Sequence, residues 1–129
     1  MRYVGDAHAP APRLSDVHLG DPASFLDDVL EGVEGLANAG VVHADLSAHN
    51  ILVFEDRPWF IDFSEAIRVD RTGGIPWIRL EQAKVALDRG FHALGKYFDK
   101  YGLEIEQRRH VSRIVRSLDR FGVLGEEQY

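Results

Sequence analysis

Asp21-Pro22 opens the stretch that most limits what this chain can fold into. An aspartate caps the first free amides of a helix, and proline suits its first turn, where no amide partner is lost. Phe25, Leu26, Val29, Leu30, Val33, Leu36 and Ala37 follow at helical spacing, with Asp27, Asp28, Glu31 and Glu34 turned the other way. Gly40 supplies the residue type on which helices end. The spacing predicts an amphipathic helix over residues 22–39, and its apolar face needs a cover. The residues that come next cannot supply a long one. ILVF and WFIDF are short apolar runs around the polar turn EDRP, the pattern of a β-hairpin. A helix packed against a small hairpin sets the class as α+β, mainly helical.

Around this centre the chain reads simply. Residues 1–20 are rich in proline and glycine without a period, and APAPRL is held extended because residues before proline avoid the helical region. A short strand over residues 1–4, then loop, is expected. RTGGI at 71–75 is a break. From Pro76 to Tyr101 the pattern is helical again, with Ile78, Leu80, Val85, Leu87, Phe91, Leu94, Tyr97 and Phe98, and Gly90 inside it allows two helices or a kink. A last helix is expected over 104–121 on Val111, Ile114, Val115 and Leu118, and GEEQY ends the chain as a frayed tail. The organisation is an extended segment, 1–20, and one domain, 21–129.

Composition removes several classes of function. A length of 129 residues suits one domain with a modest core and is short for a two-lobed enzyme. There is no cysteine, hence no disulfide, thiolate metal site or cysteine nucleophile. The six histidines include no pair at the spacing of helical metal ligands. No apolar run approaches the ~20 residues of a membrane span, and MRYVGDAHAP lacks a secretory core, so a cytoplasmic protein without membrane contact is expected. The net charge is −6, with 13 acidic and 5 basic side chains in residues 1–71 against 8 and 10 in residues 72–129. So acidic a chain is no general nucleic-acid binder. Arg109, Arg113, Arg116 and Arg120 make a basic stripe on the last helix, suited to a local RNA or acidic-partner contact, or to a solvated face near acidic neighbours.

The chemistry is concentrated between His43 and Asp62, in H-A-D-L-S-A-H-N-I-L-V-F and F-I-D-F. Asp45 and Asn50 stand five apart, and Asp62 follows a strand and a turn later. Phosphoryl transfer from ATP needs this set. One carboxylate orients the acceptor's proton, while an amide oxygen and a second carboxylate hold the cation that bridges the phosphates. Hard oxygen donors suit Mg2+. The spacing follows the kinase catalytic loop and metal motif. Asp45 and Asn50 could otherwise simply cap turns.

VVHADLSAHNILVFEDRPWFIDFSEAI resembles the C-lobe core of the RIO family of atypical serine/threonine protein kinases, and YVGDAHAPAPRLSDV resembles their hinge and the loop after it. The Leu46-Ser47 pair after Asp45, and Ser64 where ordinary kinases have the glycine of D-F-G, are shared with that family. The resemblance implies a protein-kinase-like C-lobe whose hairpin carries the metal site, with ATP and Mg2+, or Mn2+ in its place, as cofactors. By position, Asp45 would be the catalytic aspartate and Asn50 a metal ligand. Asp62 would be both a metal ligand and the residue that takes a phosphoryl group. Met1, Arg2 and Val4 would match the hinge beside adenine, Leu52 and Ile61 would floor the base, and His43 would brace the loop rather than shuttle protons. The family implies a protein substrate or a ribosomal precursor particle as partner, and a role in ribosome biogenesis.

The sequence departs from the pattern at three places: Ala44 stands for glycine, Glu65 for glutamine and Arg2 for an acidic hinge residue. It also shows no Gly-rich phosphate loop and no V-A-I-K-like lysine. The N-lobe is therefore expected to be absent, nucleotide binding by the isolated chain weak, its phosphoryl transfer poor or nil, and the bared apolar face prone to self-association. Trp59 and Trp77 read as core or lobe-surface anchors. Two other functions fit less of the sequence. An aminoglycoside-type small-molecule phosphotransferase shares the loop, and a non-catalytic binding module would keep the fold alone.

Overall fold

The computed structural model describes residues 11–69, 75–119 and 123–124. The first helix, α1 (Pro22–Asn38), begins as its sequence requires: the Asp21 carboxylate accepts the Ser24 amide at 3.2 Å. It ends at Gly40, whose φ of 85° lies in the left-handed region. Phe25, Leu26, Val29, Val33 and Ala37 are buried along one face.

The chain then makes one excursion and returns. Strand β1 (Val41–Val42) pairs antiparallel with β4 (Ile67–Arg68), and everything between them emerges from this neck. Inside it, β2 (Ile51–Phe54) and β3 (Arg57–Phe60) form the hairpin. Its turn is shorter than the expected EDRP. Glu55 and Asp56 alone make it, at φ 52° and 61°, and Arg57 and Pro58 belong to the strand. Two residues with positive φ give the turn whose twist matches paired strands. Pro58 is tolerated because it faces Val53 at a position without ladder bonds: the Ile61 amide bonds Asn50 at 3.0 Å, and bonded pairs alternate along the hairpin from there. The Val53 amide instead donates outward to the Pro12 carbonyl at 2.9 Å.

Residues 11–20 are more than a loop. Arg13 bridges Leu52, and a single 3-10 turn (Leu14–Asp16) buries Leu14 completely. The Tyr97 hydroxyl donates to the Leu14 carbonyl at 3.0 Å, and the Tyr101 hydroxyl accepts the Leu19 amide at 2.9 Å. The expected strand at 1–4, the RTGG break and the C-terminal tail lie outside the described residues.

Strand β5 (Ile75–Pro76) leads into α2 (Trp77–Asp99) and pairs in parallel with β6 (Val123–Leu124). The second helix runs through Gly90 without interruption, so the two-helix alternative does not hold. Leu87, Phe91, Leu94 and Phe98 are buried, whereas Ile78 and Val85, expected on the apolar face, are 58% and 60% exposed. Seven residues apart, they share a stripe on the side opposite the core. The last helix, α3 (Gln107–Asp119), starts later than 104 and packs Val111, Ile114 and Leu118 against α1 and α2. Among the described residues no helix is long and apolar enough to cross a membrane.

Gly90 marks a close approach rather than a break. A Cβ there would lie 2.9 Å from Leu46 Cβ, while one on Gly95 of the same helix would meet nothing within 4 Å. Leu46 Cβ rides on the loop backbone and cannot swing aside. Gly90→Ala is therefore expected to lower stability by about 1–3 kcal/mol through overpacking, and Gly95→Ala to raise it by ~0.5–1 kcal/mol. Urea midpoints that rise in both variants would contradict this.

Candidate active site

The polar loop between β1 and β2 is organised by one buried imidazole. His43 is 2% exposed. Its Nε2 donates to the Ile61 carbonyl at 2.7 Å, and its Nδ1 accepts the Asp45 amide at 3.1 Å. The two partners assign the proton to Nε2. One ring thus ties the backbone of Asp45 to the residue before Asp62, and the Phe63 ring closes over it at 4.9 Å between centroids. The bracing place expected for His43 is where the structure puts it.

Asn50 adds a second tie. Its Nδ2 donates to the Asp45 carbonyl at 2.9 Å and to Asp45 Oδ2 at 3.1 Å. Both partners are acceptors, which fixes the amide's orientation and leaves Oδ1 as its donor atom for a cation. The Asn50 carbonyl accepts the Ile61 amide, so Asn50 and Asp62 flank the open end of the paired strands. Asp45 itself is exposed.

Asp62 holds φ at 61°, a conformation that side chains other than glycine adopt rarely. Such strain at a turn is common where a side chain must be aimed. Both contacts from Ser64 fall on one oxygen: Oδ1 accepts the Ser64 hydroxyl at 2.7 Å and its amide at 3.4 Å. The hydroxyl bond first, then the amide, hold the Asp62 carboxyl below the usual carboxylate range, against a smaller opposing effect of burial. The lowered value means any linked stability is complete at neutral pH and is lost as pH falls through that value. Ser64→Ala removes the largest cause, so the midpoint of the Asp62 carboxyl 13C titration is expected to move up. An unmoved midpoint would show that Ser64 has no hold on it.

The other expected site residues are distributed as follows. Leu52 and Ile61 are half-buried on one face of the hairpin, the face that also carries Asn50 and Trp59. Trp59 and Trp77 are 40% and 47% exposed and belong to the surface, not the core. Met1, Arg2 and Val4 lie outside the described residues, as does Arg120. Arg109 pairs with Glu106 at 3.1 Å and Arg113 with Glu34 at 3.7 Å, so half of the basic stripe faces acidic neighbours. Such exposed pairs contribute ~0–1 kcal/mol. Among the described residues no three His, Asp or Glu side chains are grouped to hold a metal by themselves.

Two contacts were not legible in the sequence. Arg89 Nη2 donates to the Ala44 carbonyl at 3.0 Å, and Gly90 admits Leu46 beside it. Both come from α2, more than forty residues after the loop. A glycine in the middle of a long apolar-faced helix was the available signal.

The fold and the loop define a class first. The chain superposes on a Rio2 kinase–ADP/Mg2+–phosphoaspartate complex from Chaetomium thermophilum with a TM-score of 0.62, at 19% identity, over 92% of this chain and 40% of that one. This is a kinase-like fold. At the level of sequence, the RIO domain family model matches residues 1–111. The RIO-type serine/threonine-protein kinase Rio1 of Thermoplasma acidophilum is 31% identical over 106 residues, 82% of this chain and 50% of its own length. Rio1 of Methanocaldococcus jannaschii is 41% identical over 68 residues, 52% of this chain and 23% of its own. The chain belongs to the RIO family of serine/threonine protein kinases. It spans half the length of the Thermoplasma relative.

Proposed function

We propose that this chain carries the catalytic loop and the metal site of an ATP-dependent serine/threonine protein kinase. The carrying observation is the pair of hydrogen bonds made by His43, which tie the Asp45 amide to the carbonyl of Ile61, the residue before Asp62. Family membership sets this reading ahead of a small-molecule phosphotransferase.

The donor set fits Mg2+. Asp62 offers a carboxylate kept ionised, with both Ser64 contacts on Oδ1, and Asn50 offers an amide oxygen. Two hard oxygens suffice for a cation that keeps waters and takes the rest of its shell from phosphates. When bound, Mg2+ neutralises charge on the β- and γ-phosphates. The residues of the chain do the remainder. Asp45, steadied by Asn50, accepts a hydrogen bond from the acceptor hydroxyl and then its proton. Leu52 and Ile61 present an apolar floor for the base. The Chaetomium relative was captured with phosphoaspartate. On this chain Asp62 is the residue for such a group: a bond forms from its carboxylate to the γ-phosphorus, the bond from that phosphorus to the β–γ bridging oxygen breaks, and ADP leaves.

The test is transfer of label from γ-labelled ATP, with Mg2+, to a protein acceptor. Asp45→Asn is expected to reduce the rate by ~10²–10⁴-fold, the usual loss of a general base. Equal rates in the variant and the unmodified chain would move the reading to a non-catalytic binding module.

A further inference from the structure

We propose that Arg89 is a positioning residue for Asp45, acting through the Ala44 carbonyl and seated by the contact of Gly90 with Leu46. Asp45 is the exposed residue at the centre of three buried or braced neighbours. Before it, the Ala44 carbonyl is held by Arg89 Nη2 at 3.0 Å. After it, Leu46 is 4% exposed and sits so close to Gly90 that a Cβ on that glycine would come within 2.9 Å. At Asp45 itself, the amide is held by His43. The peptide before Asp45 is thus held at its carbonyl by Arg89 and at its amide by His43, and the peptide after it at the Asp45 carbonyl by Asn50. Arg89 and Gly90 both come from α2.

The anchor is a charge-assisted hydrogen bond at an exposed place, which is why it matters. The loop residues His43 and Leu46 are buried, whereas Ala44 is only partly buried and Asp45 is exposed. A guanidinium bond to a carbonyl supplies direction as well as energy. Because only one Nη atom is used, a lysine ammonium at the same place can replace it in part.

The chemical consequence rests on the reading of Asp45 as the group that orients the acceptor, but the closing measurement reads the loop itself. Amide hydrogen exchange is followed for Asp45, whose amide bonds His43, and for Ile61, whose amide bonds Asn50, as internal reference. Arg89→Met is expected to speed Asp45 exchange by ~10-fold relative to Ile61, the loss of one charge-assisted bond. Arg89→Lys should recover most of it. Arg79→Met is the control: Arg79 donates to the Arg68 carbonyl at 3.0 Å from the same helix, away from the loop, and its loss should leave Asp45 exchange unchanged. In transfer assays Arg89→Met should lower kcat with little change in the KM for ATP. Unchanged Asp45 exchange in Arg89→Met, or an equal rise at Asp45 and Ile61, overturns the proposal. Failure of Mg2+·ADP to reach Asn50 and Asp62 would instead sink the kinase reading, and the exchange result would still decide the role of Arg89.

Discussion

His43→Ala is expected to destabilise the chain by about 2–5 kcal/mol, one of the largest effects of any single substitution in the loop. The imidazole is buried, and its two ring nitrogens satisfy one backbone donor and one backbone acceptor. Removing it leaves the Asp45 amide and the Ile61 carbonyl without these partners, each at a cost of ~1–3 kcal/mol, and opens a cavity beneath Phe63. Function should suffer more than stability, because the lost ring is what couples Asp45 to the strand before Asp62. Few side chains can substitute, since the site needs a donor and an acceptor on opposite edges of one rigid plane. Thermal or urea unfolding checks the stability. A loss under ~0.5 kcal/mol, within the range of ordinary surface changes, would mean that the loop is held by its packing alone.

Asp62→Asn should show the opposite balance. Asp62 is exposed and its side chain supports no packing, so unfolding should hardly change. Asparagine even accepts the left-handed backbone at least as readily as aspartate. Transfer should fall by at least ~10²–10³-fold, since the carboxylate read as holding the cation against the phosphates is gone. Mg2+-dependent nucleotide binding should weaken with it. The measurement is a pair: unfolding midpoint and labelled-phosphate transfer on the same sample. A variant that keeps transfer while keeping its fold would remove Asp62 from the chemistry.

What the sequence made legible, and what it did not, follows from how local each cause is. The first helix is written in its own residues: cap, proline, apolar period and terminal glycine all lie within twenty positions. The nearness of Asp45, Asn50 and Asp62 was legible from their spacing, because the loop and hairpin that join them are short. The hairpin turn was misplaced by two residues because Pro58 reads as a turn signal, whereas its strand position asks nothing of a proline nitrogen. Glu55-Asp56 carries no glycine or asparagine to announce its positive φ angles. The exposure of Ile78 and Val85 was hidden because an apolar residue in a helix announces no side until its partners are known. Arg89 and Gly90 were missed for the same reason at longer range. Their meaning lies in Ala44 and Leu46, which touch them only after folding.

The central claim is that Asp45, Asn50 and Asp62 form one magnesium–nucleotide site. It is tested most directly by titrating Mg2+·ADP into the isotope-labelled chain and following backbone amides. Saturable shifts, dependent on Mg2+, are expected at Asn50, Asp62 and Ser64, with their loss in Asp62→Asn while the remaining spectrum stays folded. Shifts confined to other surfaces, or shifts at these amides that persist in Asp62→Asn, would contradict it.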